Sequence, residues 1–277
     1  MKKSTILFLF LLSILSIGCE DVVDVNLKSD TPKLVIDASI NWFKGTSGNE
    51  QKIKLTTTTD FFSNTIPTVS GAIVTVQNST NTTFTFTEVP NSGEYICTNF
   101  IPVLNETYTL TIINNGQTYK SVETLKPVAS ITTITQNNQG GFTGTDIEVK
   151  AFFDDPSNEE NYYLFNYSYP SIVKPDFYVT EDEFFNGNPF FSLLLDTNND
   201  SNISQNDLIK ITHYGISKQY FNYMNVLLSV SGSSGGGPFQ SPPATVKGNI
   251  INNTNFENYA LGYFRLSEVD TRDYIIQ

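Results

Sequence analysis

The chain has 277 residues, of which 28 are acidic and 16 basic, so its formal net charge is −12. A surface this acidic repels phosphate backbones, and we therefore expect no nucleic-acid partner. It has two cysteines, Cys19 and Cys97, and if Cys19 is acylated, as argued next, Cys97 has no partner for an internal disulfide or a cysteine-based zinc site.

Residues 1–18 have the parts of a secretory signal: Lys2 and Lys3 at the head, an apolar run over 6–17, and small residues before Cys19. The apolar run is shorter than the roughly 20 residues that a membrane-spanning helix needs. The sequence "LSIGC" resembles the lipobox of bacterial lipoproteins, in which the chain is cut before the cysteine and fatty acids such as palmitate are attached to it. We therefore predict a signal peptide at 1–18 and lipidation of Cys19, the alternative being an ordinary signal that contains a cysteine.

The segment after Cys19 is acidic. Glu20 and Asp21 resemble the surface-export signal of Bacteroidota lipoproteins, whereas in other envelopes an acidic residue there can mean retention at the inner membrane. Loss of Lys2 and Lys3 with the signal would bring the charge to −14, so membrane attachment would rest on the lipid. We expect residues 19–32 to be a lipidated tether on an outer-membrane protein that faces the cell exterior.

Residues 33–128 alternate between polar and apolar side chains and are rich in Thr, Val, Ile and rings, which is typical of half-buried strands. Seven such segments lie at 33–40, 51–57, 71–76, 83–87, 94–97, 108–112 and 118–122. Asn115-Gly116 predicts a tight hairpin between the last two. The pattern predicts an Ig-like or transthyretin-like β-sandwich, with Cys97 as a small buried residue.

We place a domain boundary near Pro127 and predict a second β-rich domain over 129–277. Segments 147–152 and 161–167 continue the strand pattern, and one short helix is predicted from Ser217 as its N-cap to Gly232. Thirteen of the 36 aromatic residues fall between Phe152 and Phe191. These rings form either the core of the domain or a ligand-binding surface. The neighbours Tyr162-Tyr163, Phe184-Phe185 and Phe190-Phe191 require two covered faces or some exposed rings.

Residues that could carry catalysis are few. The single histidine, His213, lies in a predicted strand and is interpreted as structural. Acidic pairs and triplets could serve a glycosidase, which needs two carboxylates across a sugar bond, but on so acidic a chain they favour solvated turns. They are Asp154-Asp155, Glu159-Glu160 and Glu181-Asp182-Glu183. We predict a non-catalytic protein and keep a carbohydrate-active hydrolase as an alternative.

The segment 196–207 resembles the calcium loops of EF-hands and dockerins. Oxygen-bearing side chains occupy the expected positions: Asp196, Asn198, Asp200, Asn202, Ser204 and Asp207. Ser201 stands where the loop prefers glycine, and Asp207 replaces the usual Glu. The two hypotheses are a structural Ca²⁺ site and an Asx-rich hairpin loop without metal.

Several fragments together resemble a Bacteroidota lipoprotein family known as domain of unknown function 4249. They are "LVIDASI", "VSGAIVTVQN", "SGEYIC", "ETYTLTIINNGQTYKSVETLKPV", "DDPSNEENYY", "GGPFQSPPATVKGNI" and "LGYF". The resemblance implies an envelope lipoprotein encoded near TonB-dependent outer-membrane transporters, and it implies no catalytic residues. We therefore expect an accessory or ligand-binding partner of a TonB-dependent nutrient-uptake system. The alternative is a structural or adhesive surface protein.

Overall fold

The strands are built from the alternating segments, because one face of each segment is apolar enough to be buried. The computed structural model describes residues 31–60, 63–157, 159–170, 176–196, 203–231 and 245–277. The first seven strands are β1 (Leu34–Phe43), β2 (Gln51–Thr57), β3 (Ile73–Asn78), β4 (Thr83–Glu88), β5 (Glu94–Cys97), β6 (Thr107–Asn114) and β7 (Gln117–Thr124). All seven were predicted. The β6–β7 turn is the expected tight hairpin, with positive φ at Asn115 and Gly116.

The rest of the described chain adds eight strands and one helix. The strands are β8 (Ile131–Gly140), β9 (Asp146–Asp154), β10 (Tyr162–Ser168), β11 (Asp176–Glu181), β12 (Pro189–Asp196), β13 (Leu208–Ile216), β14 (Ile251–Asn252) and β15 (Leu261–Ile275). The helix α1 spans Lys218–Val230, and the Ser217 side chain accepts a hydrogen bond from the Tyr220 amide as predicted for its N-cap. Ser231 is the C-cap, and Gly232 lies outside the described residues. The mostly β prediction is confirmed.

The strands form one curled sheet of twelve and one sheet of three. The order is β11-β10-β13-β15-β1-β2-β5-β4-β3-β6-β7-β14 in the large sheet and β12-β9-β8 in the small one. β15 lies parallel to β1 and antiparallel to β13. Arg265, Glu268 and Asp270 interrupt the apolar pattern of β15 although all three are buried, so alternation alone does not predict a strand of this length.

The first core fills the sandwich made by β1–β7. Residues that face inward from β1 and β2, such as Ile36 and Leu55, pack in one cluster with Val76 and Leu110 from the opposite strands. The buried thiol of Cys97 belongs to this core, as predicted, and burial raises its pKa. The apolar side chains of this cluster stabilise the fold by their burial, which contributes about 25 cal/mol for each Å² of apolar surface removed from water.

The strands β10 and β13 are covered on both faces. On one side Tyr163, Phe165 and Ile211 pack against the small sheet and form the second core with it, and on the other side Tyr162 and Ile216 pack against helix α1. This is why two neighbouring tyrosines, Tyr162 and Tyr163, are both buried. The helix therefore lies over the face of the large sheet that is opposite the small sheet, where it also packs against Tyr263 of β15.

The predicted boundary segment near Pro127 runs beside β15. The Val128 amide donates to the Glu268 carboxylate at 2.9 Å, and the Ile131 amide donates to the Asp270 carboxylate at 2.7 Å. Both acidic groups are thereby satisfied inside the protein, which explains how β15 can bury them. The division into domains at 128/129 stays a prediction.

Candidate ligand-binding groove

The outer face of strands β1, β2 and β5 carries a groove of about 490 Å³, within the usual size of small-molecule sites. Its floor comes from alternate residues of β1, whose intervening neighbours point into the first core. The residues that line it are Asp37, Ser39, Asn41, Phe43, Thr46, Ser47, Gly48, Asn49, Glu50, Gln51, Lys52, Lys54 and Glu94. The groove thus combines one ring with many amides, hydroxyls and charges.

Asn41 is held on two sides. Its backbone N–H donates to the Gln51 side-chain oxygen at 3.0 Å, and its backbone carbonyl accepts from the Gln51 side-chain nitrogen at 2.9 Å. Its side-chain oxygen accepts from Arg265 Nη2 at 3.0 Å. Side chains that are fixed in this way are already in the binding geometry, so a ligand need not order them.

Arg265 is a buried cation behind the groove, with 6% of its surface exposed. Its Nη1 donates to Ser267 Oγ at 2.7 Å, and the guanidinium lies over the rings of Tyr214 and Tyr220, 5.0 and 5.3 Å from their centroids. Within the part of the chain that the structure describes, no carboxylate pairs with it at ion-pair distance. Its charge is therefore balanced by dipoles and rings, and Asn41 is one of those dipoles.

Helix α1 contributes one of the rings that surround the Arg265 guanidinium, that of Tyr220. Tyr220 packs edge-on against Tyr263 of β15 with ring centroids 4.8 Å apart, and Tyr223 lies at the same distance from Tyr263. Burial raises the pKa of Tyr223 to about 12, so its phenol stays neutral at physiological pH. The Ser217 cap also donates to the Glu123 carboxylate at 2.8 Å, which fixes the start of the helix to β7.

The charges in the groove are of mixed sign. Lys52 Nζ pairs with the Glu94 carboxylate at 3.0 Å, and Ser39 donates to the Asp37 carboxylate at 2.8 Å. The exposed Lys52–Glu94 pair is a surface ion pair, and its stabilising contribution is small. Trp42, the only tryptophan, donates its indole N–H to the Thr46 carbonyl at 2.9 Å and so contacts the loop that borders the groove.

The predicted lipidation residue Cys19 and the predicted export signal, Glu20 and Asp21, lie outside the described residues. Their roles stay predictions. No helix in the described ranges is both long enough and apolar enough to cross a bilayer.

Three of the six predicted calcium ligands are described. Asp196 accepts a hydrogen bond from the Ile203 amide at 3.1 Å, and Asp207 accepts one from the Ser204 amide at 2.8 Å. Asn198, Asp200 and Asn202 lie outside the described residues. Among the residues with described positions, no group of three or more His, Cys, Asp or Glu side chains could hold a metal ion. The calcium hypothesis stays a prediction.

His213 lies in strand β13, as predicted, and is fully buried. Its ring stacks on Phe165 with centroids 4.0 Å apart and contacts the rings of Phe153 and Tyr163. Burial lowers its pKa to about 3, so the imidazole is neutral in the folded protein. It serves as part of the second core.

Among the acidic pairs and triplets considered for a glycosidase, Asp155 and Asp182 are buried. Asp155 accepts hydrogen bonds from the Tyr163 hydroxyl and the Gly187 amide, and Asp182 accepts one from the Asn161 amide at 2.9 Å. Burial raises the pKa of Asp182, and the negative charge of Asp155 raises it further. Both carboxylates thus join the connection between β9 and β10 to the connection between β11 and β12.

The aromatic residues between Phe152 and Phe191 are divided between core and surface. Phe153, Tyr163, Phe165 and Phe185 belong to the second core. Phe184 is 90% exposed, and it therefore follows the expectation that one ring of an adjacent pair points outward. The ring that lines the groove, Phe43, lies outside this aromatic segment.

The groove was not predicted from the sequence. One signal was present: β1 places Asp37, Ser39, Asn41 and Phe43 at every second position, an outward row that ends in a ring. Arg265 could not be assigned to it, because 224 residues separate it from Asn41.

Comparisons with known proteins give a family and distant structural likenesses, of which two examples follow. A two-domain fibronectin type III segment of chicken tenascin shares 13% identity, with coverage of 67% of this chain and 91% of that one, at a TM-score of 0.21. A DUF4785 family protein from Legionella pneumophila shares 10% identity, with coverage of 66% and 52%, at a TM-score of 0.26. Scores this low carry no argument about this chain.

No curated protein matches the chain. A family model described as "Domain of unknown function (DUF4249)" matches residues 20–273, which is nearly all of the sequence after the predicted signal. The chain therefore belongs to the DUF4249 family.

Proposed function

We propose that this protein is a non-catalytic lipoprotein of the outer membrane that faces the cell exterior and binds a nutrient for a TonB-dependent transporter. The observation that carries the binding role is the groove on β1, β2 and β5, where Asn41 is fixed in place and Phe43 is 43% exposed. A polar site of this kind, with few pre-ordered groups beside a ring, suits the recognition of a small ligand.

The proposals of a lipid anchor and of a transporter partner rest on the sequence. The lipobox-like segment before Cys19 and the acidic Glu20-Asp21 support a lipidated, exported protein. A lipid-anchored protein that binds a nutrient must pass it to something that crosses the membrane, and a transporter in the same membrane is the direct partner.

The non-catalytic role is supported by the structural roles of the residues that were candidates for catalysis. His213 is neutral and enclosed by rings, and Asp155 and Asp182 accept hydrogen bonds that fix nearby turns. Groups that already have structural tasks of this kind are poor candidates for proton transfer to a substrate.

The test is purification of the full lipidated protein from its own cells in a mild detergent, followed by mass spectrometry of what co-purifies. The Cys19→Ala variant is the control, because it removes the acylated thiol and leaves the folded part unchanged. We expect a stoichiometric outer-membrane transporter that is lost in the variant. A protein that is anchored but consistently purifies alone would contradict the transporter role.

A structural or adhesive role is the second candidate, and strand β12 favours it. β12 is an edge strand of the small sheet, and its Leu193 and Leu195 are about 40% exposed. Exposed apolar edges of this kind pair with other chains. If this role is correct, sedimentation velocity will show self-association that Leu193→Lys abolishes; a monomer at all concentrations would contradict self-assembly.

A further inference from the structure

We propose that the groove on β1, β2 and β5 binds a neutral, hydroxyl-rich ligand, an oligosaccharide, and that Arg265 positions Asn41 to donate a hydrogen bond to it. This inference deepens the binding role proposed above and rests on it.

The orientation of the Asn41 amide follows from the chemistry of its neighbour. A guanidinium has only hydrogen-bond donors, so the atom of Asn41 that faces Arg265 must be the oxygen. The NH₂ group is then the part of the Asn41 side chain that is left to donate to a ligand in the groove, which Asn41 lines. The buried cation also polarises the amide and makes this NH₂ a better donor.

The backbone at Asn41 is fixed as well. Gln51 is buried and makes two hydrogen bonds to the Asn41 backbone and a third to the Gly48 carbonyl at 2.9 Å. Both the main chain and the side chain of Asn41 are thus held before a ligand arrives. A donor that is fixed in this way favours a ligand with an acceptor at one defined position.

The charge of the groove favours a neutral ligand. Its lining has three carboxylates (Asp37, Glu50 and Glu94) and two ammonium groups (Lys52 and Lys54), and one of each is already paired across 3.0 Å. An anion would meet the carboxylates and the acidic surface of the chain, and a cation would meet the two lysines of the lining. Hydroxyl groups both donate and accept, so they can satisfy such a mixed lining without carrying charge.

The ring of Phe43 supplies the apolar part of the site. It ends the row of outward side chains on β1 and lines the groove with 43% of its surface exposed. Sugar rings have apolar C–H faces between their hydroxyls, and an exposed aromatic ring removes such a face from water. An aromatic ring beside fixed amides and carboxylates therefore matches a sugar better than it matches a small ion.

The experiment uses the fluorescence of Trp42, the only tryptophan, because its indole contacts the loop that borders the groove. The full lipidated protein is kept in a polyoxyethylene alkyl ether detergent, since glycosidic detergents would themselves present sugars. Neutral oligosaccharides (hexamers of α- and β-linked glucose, mannose, xylose and fructose) are titrated to about 10 mM, and oligogalacturonate serves as the acidic comparison.

We expect at least one neutral oligosaccharide to change the Trp42 emission with saturation, and Phe43→Ala to weaken binding about tenfold or more. The matched control is Phe184→Ala, which removes an exposed ring outside the groove and should leave binding unchanged. Saturation by oligogalacturonate alone, or no response to any neutral oligosaccharide, would overturn the proposal.

Asn41→Asp separates the positioning role from a general loss of structure. The new carboxylate would pair with Arg265, so the thermal midpoint should be equal or higher, while the donor to the ligand is lost and binding should fall at least about tenfold. Unchanged binding in this variant would contradict the role of Asn41. A co-purifying transporter without oligosaccharide binding would overturn only this inference, and binding without a transporter would overturn only the uptake role.

Discussion

At the residue scale, specific partners explain how strand β15 can bury three charged residues. The charge of Arg265 is balanced by Asn41, Ser267 and two tyrosine rings. The carboxylates of Glu268 and Asp270 accept hydrogen bonds from backbone amides of the segment that follows β7. Most of these partners come from distant parts of the chain, so the sequence alone shows only charged residues that interrupt an apolar pattern. This is why the groove escaped detection although β1 itself was predicted.

His213 leads to a prediction about pH. Burial lowers its pKa from 6.5 to about 3, so the unfolded chain binds a proton at acidic pH that the folded protein does not. Its contribution to stability is therefore complete above about pH 6.5 and is lost as the pH falls toward 3. Between about pH 6 and pH 4, we expect the free energy of unfolding to fall by up to about 1.4 kcal/mol per pH unit more in the native chain than in His213→Leu.

Denaturant unfolding of both proteins at several pH values measures this difference. Carboxyl groups with raised pKa values, Asp182 and Glu123, act in the opposite direction, but they are present in both proteins and cancel in the comparison. Parallel pH profiles would show that His213 is not protonated on unfolding as proposed.

At the element scale, the antiparallel strands of the first core follow from local pattern, and the parallel pairing of β15 with β1 does not. β1–β7 each carry the alternation that predicts them, and Asn115-Gly116 specifies the hairpin between β6 and β7. β15 carries three buried charged residues, each of which has a partner more than a hundred positions away. Local propensity contains no information about such partners, so this pairing required the structure.

The contact between β15 and β1 predicts a strong effect of one glycine. Gly262 has φ +93°, and a Cβ there would collide with the carbonyl of Ile36 in β1. We expect Gly262→Ala to cost about 3 kcal/mol or more in the free energy of unfolding. Gly116→Ala is the matched control, because Gly116 also has positive φ but open space around it; it should cost only about 1 kcal/mol.

Denaturant unfolding measures both costs, and the fold of each variant is checked by circular dichroism. Equal costs for the two glycines would mean that backbone conformation alone, and not the close approach of β15 to β1, determines the effect.

At the scale of the whole molecule, the C-terminal strand completes the N-terminal core. Ile250, Ala260, Phe264 and Leu266 belong to the same cluster as the sandwich residues. The class of the fold and the family were predictable because alternation and motif order extend through the chain. The division into domains depends on long-range contacts such as these, which the linear pattern does not record.

A fragment that ends at residue 128 tests this dependence and the predicted boundary. Without β15, strand β1 loses its partner from Val35 to Phe43, and the core loses Phe264 and Leu266, which β15 contributes. We expect residues 32–128 alone to lack a cooperative thermal transition and to show poorly dispersed amide signals. A cooperative transition with native-like dispersion would instead establish an independent N-terminal domain.

The central claim is that the ligand is held on the outer face of β1, β2 and β5. The most direct measurement is a crystal structure of the protein with the neutral oligosaccharide that gives the largest change in Trp42 fluorescence. We predict a sugar ring against Phe43 and a ligand oxygen within hydrogen-bond distance of Asn41 Nδ2. A sugar bound elsewhere, for example at Phe184, with the groove empty, would contradict the claim.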